Sequence, residues 1–183
     1  KIDVVFTGFR DTTGQITVVV GDTARLVIET SRLGSSEHLS SSKTADDTLT
    51  LYAAGYDGDG NFTGLIKAQS WSLSGGIGTI TPSAQSDSTV LTVNTAGNGT
   101  LAASYSGLTD NSGLVTATGG AVASIKIRTG AGNSGALFHS AINLKADSSV
   151  TLYAASYDAN GNYLGEVAAS WDTLGAISGG LSN

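Results

Sequence analysis

Asp57-Gly58-Asp59-Gly60-Asn61 places three oxygen-bearing side chains within five residues, and Asp158-Ala159-Asn160-Gly161-Asn162 repeats the spacing. Alternating carboxylate and amide oxygens are what the first half of a calcium loop uses to surround a hard divalent ion. Such a loop also wants Gly at its sixth position and Glu at its twelfth. Phe62 and Tyr163 stand at the sixth, and neither copy supplies the Glu. The competing reading is a tight turn between two strands, in which Asp and Asn bond their own backbone and Gly supplies positive φ. The turn is the expectation, so no cofactor is expected, with Ca2+ as the alternative.

Other residue types offer less. Tyr52, Tyr56, Tyr153 and Tyr157 are expected to point away from a sandwich core, where exposed rings could stack on a surface glycan; cross-strand packing is the plainer explanation. His38 and His139 are matched to one another as solvated loop residues, since neither has the convergent partners that a triad or a metal site needs. Lys43 and Lys145 also correspond, and would suit a Lys–Asn isopeptide lock only if an Asn and an acid stood beside them. Asn61-Phe62-Thr63 and Asn98-Gly99-Thr100 match the glycosylation acceptor, at a frequency that chance supplies in so Thr-rich a chain. No cluster of acids or of His with acids suggests an enzyme, and the Gly-rich stretches lack the following helix of a phosphate loop.

Composition narrows the class further. The 183 residues include 25 Gly, 1 Pro and no Cys or Met, and only 13% are charged. Nine basic residues scattered singly against 15 acidic ones give a net charge of −6, so no basic patch is available for nucleic acid. No apolar run reaches the roughly 18–20 residues of a bilayer span, so no membrane insertion is expected. The absence of Cys excludes disulfides and thiol chemistry. Lys1, in place of Met, reads as the start of a mature or excised piece.

These residues must be held by something, and an internal repeat says what. LYAAGYDGDGNFTG (51–64) and LYAASYDANGNYLG (152–165) are the same segment. The match extends to Trp71 with Trp171, Ile77 with Ile177, ARLVIET (24–30) with ASIKIRT (123–129), and Phe6 and Asp11 with Tyr105 and Asp110. The offset drifts between 99 and 101, as loops absorbing small insertions would allow. The chain therefore divides into 1–21, the last strands of one repeat; 22–120, a complete repeat; and 121–183, the start of a third.

Within the complete copy the period is two. Leu49, Leu51, Ala53 and Gly55 share one strand face, and Leu101, Ala103 and Tyr105 share another. Turn signals separate about seven short strands, the count of an immunoglobulin-type sandwich, with Trp71 entering the core from the third strand. LYAAxYDxxGNxxG, the Trp-centred strand, GIGTITP, TAGNGTLAASYSGLTD and SGLVTATGG resemble the bacterial Ig-like (Big) domains repeated in intimin- and invasin-type adhesins and in S-layer-associated proteins. The resemblance covers essentially the whole chain and is specific for fold, not for ligand. GNFT and GNYL replace the family's common GNPV, which leaves the subfamily open.

The resemblance implies an all-β fold of tandem Ig-like sandwiches, extracellular or at the cell surface. It also implies a non-catalytic role as stalk, adhesin shaft or filament building block. The rival is a carbohydrate-binding or accessory module of a secreted polysaccharide-active enzyme. Expected partners are neighbouring repeats and a surface glycan or receptor. Head-to-tail self-association is a further expectation, with the incomplete terminal repeats completing each other, although a fragment is the plainer explanation.

Overall fold

The computed structural model describes residues 1–174, and every element assigned among them is a strand. The N-terminal segment holds β1 (Asp3–Phe6) and β2 (Phe9–Thr12). The middle of the chain holds β3 (Arg25–Glu29), β4 (Ser40–Thr44), β5 (Thr48–Tyr56), β6 (Phe62–Leu65), β7 (Ser70–Leu73), β8 (Gly78–Thr81), β9 (Ser88–Val93), β10 (Gly97–Gly99), β11 (Leu101–Tyr105), β12 (Leu108–Asn111) and β13 (Leu114–Thr118). Beyond it come β14 (Ser124–Arg128), β15 (Tyr153–Tyr157) and β16 (Tyr163–Glu166).

The middle strands form a β-sandwich. One sheet runs β3-β5-β9-β8, with β6 pairing the end of β5. This is the A-B-E-D order of an immunoglobulin-type sheet. The facing layer consists of β12-β11-β7 and β10-β13-β4. Only one residue separates β10 from β11, and two separate β12 from β13, so the two pieces form one bent layer. β4 runs parallel to β13, from Leu114↔Ser40 to Thr118↔Thr44. The sequence predicts about seven strands; eleven segments appear because the first strand and the last two are each broken in two and β6 is added.

Period-two alternation decides which side chains fill the space between the layers. On β9, Thr89, Leu91 and Val93 face inward, a cleaner pattern than its sequence suggests. Leu51, Ala53, Leu101, Ala103 and Val115 meet them, and Trp71 is buried among them as expected. Its indole N–H donates to the Ser86 carbonyl at 3.1 Å, so the one polar atom brought inside is satisfied. Each fully buried aliphatic side chain here is worth about 1.5–3 kcal/mol.

The flanking segments repeat parts of this sandwich. Phe6 pairs Phe9 around Thr7-Gly8, and Tyr105 pairs Leu108 around Ser106-Gly107. The turn residues have φ of 44° and 85° in the first hairpin and 48° and 83° in the second. Two successive positive φ values give the primed turn that two-residue hairpins need, and Gly takes the second without strain. At the other end, β14-β15-β16 reproduces β3-β5-β6, with Ser124↔Tyr157 matching Arg25↔Tyr56 and a bulge at the same place. Ile125 is 58% exposed there, where its counterpart Leu26 is 3% exposed under the second layer.

Candidate functional site

The Asp57 loop links β5 to β6, and its geometry follows from one carboxylate. Oδ1 of Asp57 accepts the backbone N–H groups of Asp59 and Asn61 at 3.0 and 2.8 Å. Oδ2 accepts the Asn61 side-chain amide at 3.0 Å and the backbone N–H of Gly21, 36 residues away, at 2.9 Å. Gly60 turns the chain at φ 85°. Asp158 repeats every one of these contacts: Asn160 and Asn162 N–H on Oδ1 at 2.9 and 2.8 Å, the Asn162 amide on Oδ2 at 2.7 Å and Gly120 N–H on Oδ2 at 2.9 Å. Asp suits this position because both oxygens only accept, and Asn suits the fifth because its amide donates back.

These donors set the electrostatics. The Asn61 amide, then the Gly21 and Asn61 N–H groups, hold the Asp57 carboxyl at about 2. For Asp158, burial opposes ionisation, but the Asn162 amide and the Gly120, Asn162 and Asn160 N–H groups outweigh it and lower its pKa. Each loop folds as a turn in which N–H donors sit on both oxygens of its first Asp.

What sequence alone does not give is the direction in which the loop faces. Asp57 and Asp158 each bind a glycine in the connection to the preceding repeat, and the Asp158 loop continues onto the preceding sandwich. The Asn160 amide donates to Asp46 Oδ1 at 2.9 Å. The Asn162 amide donates to the Asn94 carbonyl at 3.0 Å, and its own Oδ1 accepts the Ala96 N–H at 3.0 Å. Leu164 lies against Gly119 so closely that a Cβ there would overlap its Cδ2. Asn162 is half-buried as a result, while its counterpart Asn61 is exposed.

The tyrosine expectation needs correction. Tyr56 and Tyr157 do lie on the sheet face opposite the main core, but they are only 7% and 4% exposed. Phe62 and Leu65 of β6 pack on Tyr56 together with Val27 and Ala54, and Gly34 closes over its hydroxyl. Tyr157 is likewise edge-on to Tyr163. Tyr52 and Tyr153 are half-buried, and the Arg32 guanidinium sits 5.3 Å from the Tyr52 ring centre. No flat aromatic platform results at these four positions.

His38 is buried rather than solvated, with Nε2 3.0 Å from Ser41 Oγ and Nδ1 lacking a partner. Burial lowers its pKa. Its counterpart is Phe138, not His139: His38 N–H donates to Ile28 O, and Phe138 N–H to Ile127 O. His139 is exposed. Lys43 is half-buried on β4, and no carboxylate lies within ion-pair distance of its ammonium among the described residues. Trp171 is half-buried; Ile177 lies outside the described residues.

Sequence reasoning passed over Glu29, a buried carboxylate that accepts the Tyr56 hydroxyl on Oε1. A Glu closing a strand reads as solvated, so no local signal marks it.

No family model matches the chain, and no curated protein matches it. Among solved structures, domains 4–9 of surface layer protein SbsC are similar at 16% identity and a TM-score of 0.28. The match covers 96% of this chain and 27% of that one, so the chain spans about a quarter of its length.

Proposed function

We propose that the chain is a non-catalytic spacer, a run of Ig-like β-sandwiches acting outside the cell or at its surface as a stalk, adhesin shaft or filament building block. Residues 1–21 close one repeat, 22–120 form the next, and 121–183 begin a third. The shared hairpin geometry of β1-β2 and β11-β12 supports the first boundary. The observation that carries the reading is the docking of the Asp158 loop on Asp46, Asn94 and Ala96. A spacer must hold the angle between its units, and short glycine connections alone only limit bending. Here the loop that turns β15 into β16 also clamps the connection and reaches the neighbour. The partners of each repeat are therefore its neighbours in the array.

Small-angle X-ray scattering over a concentration series tests this, with the Asn160→Ala/Asn162→Ala chain alongside. A monomer whose maximum dimension is fixed, and which becomes more flexible in the double variant, supports the spacer. Identical profiles for the two chains would remove the joint from the account. Growth of the particle with concentration would replace a passive spacer by self-assembly.

A further inference from the structure

We propose that the cleft over Glu29 binds a guanidinium group, the role that Arg128 fills from within the chain in the next repeat. Glu29 is 1% exposed; its Oε1 accepts from Tyr56, and its Oε2 is buried without a donor. A cleft of about 370 Å³ opens beside it, lined by Arg25, Val27, Glu29, Ser35, Glu37 and Tyr56 among others. Two carboxylates against one guanidinium leave this lining with a net charge of −1. A buried carboxylate oxygen without a donor is costly, so a cation that donates hydrogen bonds is the group the site lacks.

The equivalent position in the next repeat shows what fits. Arg128 pairs Tyr153 as Glu29 pairs Tyr52, so the two residues occupy one register position. Arg128 Nη1 donates to the Tyr157 hydroxyl at 2.7 Å, Nε to the Ser134 carbonyl at 3.0 Å, and Nη2 to the carbonyls of Asn133 and Gly135 at 3.0 and 2.5 Å. A tyrosine hydroxyl and one loop thus already receive a planar, multidonor cation. In the middle repeat the same tyrosine and loop face a carboxylate instead, and Arg25, which lines the cleft, makes no ion pair with it among the described residues. A planar fork also pairs with a carboxylate better than a point charge does. Arg25, 5.1 Å from the Tyr56 ring centre, stands at the rim and opposes entry.

The test is an amide ¹H–¹⁵N titration of the full chain with methylguanidinium, with N-acetyl-arginine amide and, separately, with Ca2+. Saturable shifts at Ser35, Tyr56 and Gly60 are expected with both guanidinium probes. Binding should be at least tenfold weaker in Glu29→Gln, lost in Glu29→Arg and tighter in Arg25→Ala. Equal affinity for the two probes assigns the site to free guanidinium compounds; tighter binding of the arginine amide assigns it to a peptide arginine. No saturable shift, shifts unchanged in a folded Glu29→Gln, or a response to Ca2+ alone overturns the proposal. None of these outcomes touches the spacer reading, which rests on the Asp158 loop and its contacts with Asp46, Asn94 and Ala96.

Discussion

The side-chain amide of Asn162 donates to the backbone carbonyl of Asn94, 68 residues earlier, at 3.0 Å. The same side chain also holds Asp158 in its turn. One residue therefore shapes a loop within its own repeat and fastens that repeat to the one before it. That coupling makes the joint accessible to mutation without touching either core.

Asn162→Ala removes the two bonds to the preceding sandwich, at Asn94 and Ala96, along with the one to Asp158 within its own loop. At about 0.5–1.5 kcal/mol each, the docked arrangement loses about 1–3 kcal/mol, a shift of roughly five- to 150-fold toward undocked. Residual dipolar couplings of the two repeats, which share one alignment tensor when docked, should separate. The melting of the middle sandwich should not change.

Gly119→Ala acts by crowding. The new Cβ overlaps Leu164 Cδ2, the far end of a half-buried side chain, so Leu164 must leave its present position against the connection. Gly119→Ala/Leu164→Ala should restore the wild-type dipolar couplings, because the methyl then has room. A single variant that docks normally would show that the Leu164 contact does not set the joint.

Acid should loosen the joints before it unfolds the sandwich. Asp57 has a folded pKa of about 2 against an ordinary 3.8, and Asp158 is lowered too. A lowered pKa means the stabilisation is complete above the unfolded value, near pH 4, and is lost as pH falls toward 2. Carboxyl ¹³C shifts of both residues, followed between pH 5 and 1.5, should titrate in that window together with the Gly21 and Gly120 amide shifts.

Much of this was legible in the letters. The doubled LYAA…YD…GN segment located both loops, and alternation along β5 sorted Leu51 and Ala53 from Tyr52 and Tyr56. Alternation names a face but not what covers it, so the burial of Tyr56 beneath Phe62 stayed hidden. Pairing identical letters matched His38 with His139, whereas the loop after Thr129 is one residue longer than that after Thr30, which moves Phe138 into register. The Gly21 and Asn94 contacts depend on how distant segments meet, and no local pattern encodes that.

Trp71→Ala tests the core separately. Replacing a buried Trp costs about 3–5 kcal/mol, a large share of a small domain's stability. Urea unfolding should show the middle sandwich melting early, while β14-β15-β16 keep their amide shifts apart from those at the joint.

The angle between repeats can be measured directly, because the chain has no Cys to interfere with labelling. Ser72→Cys on β7 and Ser124→Cys on β14 place two spin labels at exposed positions on either side of the joint. A fixed joint gives one narrow distance distribution, unchanged by Ca2+ or by a chelator and broadened by Asn162→Ala. A broad distribution in the parent chain, indistinguishable from that of the variant, would contradict it.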